Sequence, residues 1–305
     1  MAPERPLISP VLISTALGPA GRGVFPYTLL PAYRRLMKTV RDTGTAVLSK
    51  SATRFPRRGN VLPWNPVTWW RYVKRLPDSG LLNAYGLTNA GAERSARELK
   101  ASQDLGIKVT PNFYPEFIRG TAVAIRDTLE ALEIYQAALG PHFQALELNY
   151  SCPNSQEEIR ENVAQGLKCA QAVRQQFPAL FLIVKVSVCH PYEFAQELEG
   201  LGVNALHAVN TVPYDLVFPP PVNPPSPLRR VGGGGVSGGP AFALAYRYNA
   251  GLRPKVGLFL IMGCGVTNHD DVKKYFDLGA DAVSLCTLAL RAPDEARKVI
   301  LAYNG

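Results

Sequence analysis

The feature that most constrains the fold of this chain is a regular alternation between short apolar runs and longer helix-like stretches. Eight candidate strands follow one another: Thr45–Ser49, Leu81–Ala84, Ile107–Pro111, Ala145–Tyr150, Phe181–Ser187, Ala205–Asn210, Gly257–Met262 and Ala282–Cys286. The helix-like stretches are Ala90–Leu105, Thr121–Leu139, Glu157–Gln176, Glu193–Leu201, Phe242–Ala250, His269–Leu278 and Pro293–Tyr303. Strands that alternate with helices of this length indicate parallel β-α units.

Eight such units within about 250 residues are typical of an α/β fold of the (β/α)8 TIM barrel type, with a doubly wound open sheet as the alternative. We expect residues 1–305 to form a single domain. The segment before Thr45, including Leu7–Ser14, is expected to be an N-terminal extension that caps the barrel. The Pro- and Gly-rich stretch from Val212 to Pro240 is predicted to be a long loop at the C-terminal face.

Composition narrows the functional classes. The chain is 47% hydrophobic and 19% charged, which supports a sizeable core and argues against extensive disorder. No apolar run reaches the ~18 residues needed to cross a bilayer, and the N-terminus lacks the apolar stretch of a secretory signal. We therefore expect a soluble, cytoplasmic protein. The net charge of +9 is dispersed along the chain, which favours an anionic substrate or cofactor over nucleic acid. Five cysteines without a CxxC pair predict neither a disulfide framework nor a metal site.

Several polar residues lie late in the candidate strands or just after them, where barrel enzymes carry their sites. Lys185 interrupts the apolar run Leu-Ile-Val-Lys-Val, and a lysine there is costly unless its ammonium meets an anion. It is interpreted as a cation at the barrel mouth; the alternative is a solvent-facing position on an edge strand. Lys50 raises the same question at the end of its strand.

Four asparagines share this predicted face: Asn83, Asn149, Asn154 and Asn210. Each carboxamide both donates and accepts, so together they match a heterocycle edged with N–H and C=O groups, although a lone strand-end Asn is usually a turn residue. Cys152 is a candidate general base or nucleophile, whereas Cys169 on its helix is interpreted as structural. His207 is interpreted as a core residue or a support for the site.

Two glycine clusters, VGGGGVSGGP and MGCGV, each precede a helix, where backbone N–H groups can hold a phosphate. Neither has the P-loop form, and no GxGxxG follows the first strand. The clusters therefore favour a phosphorylated cofactor other than a nucleoside triphosphate or a Rossmann-bound dinucleotide.

The segment ELNYSCPNS resembles the ELN-x-SCPN motif of the dihydroorotate dehydrogenases, which are FMN-containing (β/α)8 barrels. LSKSAT, LLNAYGLTNAG, IVKVSV, AVNT, GGVSGGP and LGADAVSLCT extend the resemblance over residues 8 to 300. It implies that Cys152 is the base and that Lys185 contacts the flavin ring. The positions implied for the dihydroorotate or orotate ring are Lys50, Asn83, Tyr85, Gly86, Leu87, Asn149, Asn154, Asn210 and Thr211. Those implied for FMN are Ala16, Gly18, Lys50, Asn149, Lys185, Gly238, Gly263, Gly265, Cys286 and Thr287.

The chain departs from the family pattern at both glycine loops. Gly263-Cys264-Gly265-Val266 is one residue shorter than the usual G-x-G-G form, and GGVSGGP carries an additional glycine. The resemblance implies oxidation of dihydroorotate to orotate, with electrons passed to a soluble acceptor such as fumarate or to a separate electron-transfer subunit. It also leads us to expect a homodimer. Two alternatives are a flavoenzyme acting on another unsaturated ring and a non-enzymatic basic binding protein.

Overall fold

The computed structural model describes residues 8–151 and 159–305 of the chain. Cys152 and Asn154 therefore lie outside the described residues. No helix in the described ranges is long and apolar enough to span a membrane.

A closed parallel barrel forms the body of the described protein. The strands are β1 (Val11–Ser14), β2 (Val47–Leu48), β3 (Val73–Arg75), β4 (Leu81–Asn83), β5 (Val109–Thr110), β6 (Asn112–Phe113), β7 (Ala145–Asn149), β8 (Phe181–Val186), β9 (Ala205–Ala208), β10 (Val212–Pro213), β11 (Gly235–Ser237), β12 (Phe259–Gly263) and β13 (Ala282–Leu285). Nine of these pair in the order β5-β2-β1-β13-β12-β9-β8-β7-β6. Only Pro111 separates β5 from β6, so the sheet closes on itself and these two count as one interrupted barrel strand.

The helices are α1 (Pro31–Asp42), α2 (Pro66–Tyr72), α3 (Gly91–Gln103), α4 (Thr121–Leu139), α5 (Ile159–Gln176), α6 (Tyr192–Gly200), α7 (Tyr214–Val217), α8 (Gly239–Leu252), α9 (His269–Asp277), α10 (Thr287–Arg291) and α11 (Pro293–Asn304). Helix α1 shows why these segments pack on the barrel. Its first residue, Pro31, has a φ suited to helix initiation, and Tyr33, Leu36 and Val40 recur at helical spacing and are buried. The (β/α)8 prediction is confirmed, and the open-sheet alternative is wrong.

Two of the strand assignments were wrong: one barrel strand was missed, and one strand outside the barrel was counted as part of it. The predicted number of eight barrel strands is therefore still correct. Val11–Ser14 is a barrel strand that pairs with β13 and β2, so this segment does not cap the barrel. Leu81–Asn83 is not a barrel strand. It belongs to a second, antiparallel sheet in the order β10-β11-β4-β3, which buries its own apolar cluster including Leu82, Val212 and Val236. The predicted long loop from Val212 to Pro240 therefore contains two strands of this small sheet and helix α7.

The barrel interior is layered along its axis. An apolar layer includes Leu12, Ala145, Ile183, Ala205 and Ala282. Side chains two residues apart on a strand share a face, so the next inward residues lie nearer the carboxyl ends. These residues are polar and buried: Ser14, Glu147, Lys185, His207 and Ser284. The chain thus places a charged layer inside the barrel, directly beneath its carboxyl-end face.

Candidate active site

A cavity opens at the carboxyl ends of the barrel strands, between the polar layer and the small antiparallel sheet. Lys185, His207 and Ser284 line it from the barrel, and Asn83 and Ser237 line it from the small sheet. Helix α10 contributes Thr287 and Leu290. The cavity is therefore bounded by both sheets. The segment that contains β3 and β4 forms part of its wall.

Most of the residues singled out in the sequence meet at this cavity. Those that line it are Ala16, Lys50, Asn83, Tyr85, Leu87, Asn149, Lys185, Asn210, Thr211, Gly265, Cys286 and Thr287. Four others are described but are not among the lining residues: Gly18, Gly86, Gly238 and Gly263. Cys152 and Asn154 fall outside the described residues, so their prediction stays as the sequence made it.

Lys185 is an inward-facing lysine and not a solvent-exposed one. Its side chain is only 3% exposed, and Nζ donates to Ser14 Oγ at 3.1 Å. The parallel register places it beside Asn149 of β7 and His207 of β9. The alternative of an edge strand facing water is therefore wrong.

A buried chain of hydrogen bonds runs beside Lys185. Glu147 is held by His207 Nδ1 and by the carboxamide of Asn112, and His207 Nε2 lies 2.8 Å from Ser284 Oγ. Burial alone would raise the pKa of Glu147, but the nearby Lys185 and these donors outweigh it and lower that pKa. Burial, together with Lys185, lowers the pKa of His207 against the opposing effect of Glu147. The carboxylate is thus ionised and the imidazole neutral.

Lys50 also lines the cavity and contacts one of a pair of aromatic side chains. Its ammonium lies 2.6 Å from the centroid of the Tyr85 ring, a cation–π contact. Tyr85 in turn meets Trp69 of α2 edge-to-face, with the ring centroids 5.9 Å apart. Burial raises the pKa of Tyr85 to about 12, so its hydroxyl stays protonated. The stack fixes one wall of the cavity and holds a second cation there.

The described asparagines of the cavity hydrogen-bond to the protein itself, two of them to Ser151. Asn149 Nδ2 donates to Ser51 Oγ at 2.9 Å, and its Oδ1 accepts from the backbone N–H of Ser151 at 3.1 Å. Asn210 Nδ2 donates to the carbonyl of Ser151 at 2.9 Å. Asn83 Nδ2 reaches the carbonyl of Gly235 at a longer 3.4 Å. Each carboxamide thus supports the protein backbone while bordering the cavity.

Two buried donors at the cavity have no hydrogen-bond partner among the described residues. These are the hydroxyl of Thr211 and the indole N–H of Trp69. Nε of Arg291, on α10, is in the same state. Buried polar groups nearly always have partners, so such donors are expected to face a ligand or water. Among the described lining residues there is no Asp or Glu, whereas Lys50 and Lys185 both line the cavity. This donor set suits an anionic ring.

The backbone around the cavity is held in unusual conformations. Thr15, Leu87 and Cys264 line the cavity with φ of 61°, 58° and 68°, although none is a glycine. Such conformations are costly for non-glycine residues, above all for the β-branched Thr15, and tend to cluster at functional sites. Next to Cys264, Gly265 has a φ of 89°, and a Cβ there would collide with the backbone of Phe242.

Three of the four described thiols have a raised pKa, and the fourth, Cys189, is exposed. Burial raises the pKa of Cys264 to about 12 and that of Cys169 to about 11, and it also raises the pKa of Cys286. Cys264 and Cys286 line the cavity, whereas Cys169 is fully buried against Thr128, as its structural interpretation requires. No cluster of three metal-ligating side chains occurs in the described parts of the chain.

Sequence reasoning missed several lining residues. Ser14 and Thr15 were hidden in the segment misassigned to a cap, and Trp69 lies in a helix that was not predicted. Ser284 is small and stands within an apolar run. The signal that could have identified it is its spacing, because Ser284 lies two residues before Cys286, the residue that follows β13.

Comparisons with known proteins agree with this geometry. A family model described as dihydroorotate dehydrogenase matches residues 35–301. Two relatives are named dihydroorotate dehydrogenase B (NAD(+)), catalytic subunit. The one from Halalkalibacterium halodurans is 28% identical over 258 residues, covering 81% of this chain and 76% of the relative. The one from Parabacteroides distasonis is 28% identical over 313 residues, covering 98% and 89%. A solved DHODH structure from Eimeria tenella, in complex with ferulenol, has a TM-score of 0.68 at 19% identity, covering 95% and 79%, which supports the fold alone.

The fold and the site define a (β/α)8-barrel enzyme with a cationic cavity at the carboxyl face. The chain belongs to the dihydroorotate dehydrogenase family, whose model spans most of the barrel. It is accordingly an oxidoreductase that acts on CH–CH bonds.

Proposed function

We propose that this protein oxidises dihydroorotate to orotate with FMN as its bound cofactor. The observation that carries the proposal is the buried Lys185, which lies between Asn149 and His207 in a cavity that no described carboxylate lines. Orotate is an anionic ring edged with N–H and C=O groups. Two cations, two unpartnered donors and three asparagines offer the matching chemistry.

The described residues fit FMN at both ends. Ala16, Lys50, Asn149 and Lys185 would border its ring, since all four line the cavity. Gly265, Cys286 and Thr287 would border its phosphate, and Gly238 and Gly263 are next in sequence to the lining residues Ser237 and Cys264. Nε of Arg291, which is buried without a hydrogen-bond partner among the described residues, would place a cation on the same helix as Thr287. FMN, when bound, would accept a hydride from C6 of the substrate.

The chain's own residues would then position the ring and manage charge and protons. Lys185 would stabilise negative charge that develops above it. Thr211 and Asn210, consecutive at the carboxyl end of β9, would hold the substrate. Cys152 would remove the proton from C5, a role that rests on the SCPN motif.

The names of the relatives bear on the electron acceptor. Both are named as NAD(+)-dependent catalytic subunits, which favours a separate electron-transfer subunit and NAD+ over fumarate. We therefore propose that the reduced protein passes electrons to such a partner. Purified protein given dihydroorotate should reduce fumarate slowly, and NAD+ only once the partner is added. Fast turnover with fumarate alone would contradict this assignment.

The absorption spectrum tests the core of the proposal. The purified protein should be yellow, release FMN and not FAD on denaturation, and bleach when dihydroorotate is added without oxygen. A bound flavin that dihydroorotate leaves oxidised would favour another unsaturated ring as substrate. A colourless protein after flavin supplementation would favour the non-enzymatic alternative.

A substitution of Cys152 tests the proposed base. Cys152→Ala should still bind FMN and orotate, because the described lining residues would provide those contacts. Stopped-flow reduction by dihydroorotate should slow by roughly 10²–10⁴-fold, the usual contribution of a positioned base. Cys169→Ala is the matched control and should leave the rate nearly unchanged. Reduction of Cys152→Ala at the parental rate would show that another group takes the proton.

A further inference from the structure

The polar layer contains three hydrogen-bonded side chains that the proposed chemistry does not use. Glu147 of β7 contacts His207 Nδ1, and His207 Nε2 lies 2.8 Å from Ser284 Oγ of β13. Glu147 and His207 are at most 1% exposed, whereas both His207 and Ser284 line the cavity. These hydrogen bonds therefore connect a fully buried carboxylate to the floor of the cavity.

The direction of each hydrogen bond follows from the carboxylate. An ionised Glu147 can only accept, so His207 Nδ1 must carry the proton that it shares with Glu147. A neutral imidazole then leaves Nε2 as an acceptor, so the Ser284 hydroxyl donates to Nε2 and only its lone pairs remain for the cavity. A Cβ on Gly263 would collide with Ser284 Oγ, so the glycine leaves room for this hydroxyl.

Protonation of His207 reverses the direction of the hydrogen bond between His207 Nε2 and Ser284 Oγ. An imidazolium donates at both nitrogens, so Ser284 accepts from Nε2 and its own proton becomes free to point into the cavity. The cavity floor thereby changes from a hydrogen-bond acceptor to a donor. We propose that Glu147, His207 and Ser284 form a proton relay that takes up a proton at His207 when negative charge enters the cavity on reduction of the flavin. This inference rests on the proposed binding of FMN.

The groups that face His207 are arranged for such a change. Glu147 of β7 favours the imidazolium, and Lys185 of β8 opposes it. The strand on the other side, β12, places Ile261 beside His207, and the thiols of Cys264 and Cys286 follow β12 and β13. The oxidised state thus keeps His207 neutral between two opposing charges. Negative charge in the cavity would offset Lys185 and favour proton uptake.

The balance of the step is simple. FMN, when bound, would take two electrons and one proton from the reductant, which would leave one additional negative charge in the cavity. A second proton would come from solvent through the Ser284 hydroxyl and end on His207 Nε2. Removal of the electrons by the acceptor would return that proton to solvent. The relay stores a proton, and no covalent bond to carbon is made or broken at these side chains.

Nitrogen-15 NMR of the histidines in the FMN-bound protein tests the relay directly. The chain has 4 histidines, so His207 can be assigned from its absence in His207→Gln. In the oxidised protein we expect Nδ1 protonated and Nε2 unprotonated. After anaerobic reduction with dithionite, Nε2 should become protonated, whereas the exposed His142 should not change. An Nε2 that keeps its protonation state on reduction would overturn the proposal.

The flavin reduction potential gives a second readout. Above the pH at which free imidazole titrates, the potential of the parent should fall with pH about twice as steeply as that of His207→Gln, since two protons rather than one accompany two electrons. Ser284→Ala keeps the Glu147–His207 pair and should keep the steep slope, because His207 can still take up the proton. Equal slopes in the parent and His207→Gln, or a parent slope of one proton per two electrons, would overturn the relay.

Reduction with dithionite tests the relay independently of the proposed substrate. A flavin that dithionite reduces and dihydroorotate does not would contradict the proposed substrate while leaving the relay test intact. A protein that binds no FMN would overturn both.

Discussion

Replacing Lys185 with methionine removes one charge from the polar layer while keeping a long side chain. The ammonium is 3% exposed, and its described hydrogen bond is to the neutral Ser14 hydroxyl. Its charge acts on the carboxylate of Glu147, and because Lys185 lines the cavity, it can act on a ligand there as well. A hydrogen bond to a charged group contributes about 1.5–3 kcal/mol. At about 1.4 kcal/mol per tenfold change in affinity, Lys185→Met should weaken binding of orotate or FMN by roughly 10–150-fold.

The variant should nevertheless fold. Glu147 keeps its hydrogen bonds to His207 and Asn112 when Lys185 is removed. Because Lys185 lowers the pKa of His207, its loss raises that pKa, and an imidazolium can then compensate the carboxylate. We expect a modest fall in the unfolding midpoint, together with a His207 that titrates at higher pH.

Equilibrium titration gives the affinity. Orotate binding is followed by the change in flavin absorbance, and FMN retention by ultrafiltration. Lys298→Met on α11 is the control, because that lysine is 71% exposed and pairs only with Glu295 among the described residues. The difference between the variants should persist at high salt, since a buried charge is poorly screened. Orotate and FMN affinities equal to those of the parent would refute the placement of Lys185 beneath the ligand.

Three further predictions concern single side chains. His190 is buried against Phe194, and burial lowers its pKa to about 4 from 6.5. As the pH falls, the unfolded chain takes up this proton at a higher pH than the folded protein does. The contribution of neutral His190 to the free energy of unfolding is therefore fully present above pH 6.5, and about 3 kcal/mol of it is lost as the pH falls to 4. Urea unfolding of the parent and His190→Gln should show this loss in the parent alone. Thr211→Val should weaken orotate binding about 2–13-fold, the equivalent of a neutral hydrogen bond of about 0.5–1.5 kcal/mol, with Thr211→Ser as the retained control. Trp69→Phe keeps the edge-to-face packing on Tyr85 and should alter ligand affinity with little effect on the unfolding midpoint; unchanged affinity would show that its indole N–H meets only water.

The barrel could be predicted because its strands are apolar on both faces and separated by helices. Ala145–Asn149 and Phe181–Val186 form the longest such runs, and the sequence located both within a residue. Helix Thr121–Leu139 was located at its observed bounds. Val11–Ser14 was missed because four residues near the start of a chain look the same in a cap and in a strand. What distinguishes them is pairing with β13, a partner about 270 residues away in sequence, which local patterns do not contain.

The small sheet could not be predicted for a related reason. Leu81–Asn83 has the composition of a barrel strand, and it is buried, but against Val212 and Val236 and not inside the barrel. The Gly- and Pro-rich stretch that supplies β11 argues against regular structure in any local reading. Gly235–Ser237 forms a strand because its partner Leu81–Asn83 is already held in place by β3. Tertiary pairing decided both assignments.

The layering of the barrel explains which of its inward-facing polar residues the sequence could single out. Lys185 stood out because a charge is rare in an apolar strand, whereas Glu147 was concealed within a motif noted for Asn149 and Cys152. Yet Glu147 and Asn149 are two residues apart on one strand, as Lys185 and Ile183 are, so each pair shares the inward face. A lysine inside a closed barrel requires compensating charge within reach, and the polar partner must come from the same layer of a neighbouring strand. Glu147, on β7, supplies that charge, and His207, on β9, contacts Glu147 through Nδ1. The reasoning that singles out Lys185 therefore leads to both of these residues as well.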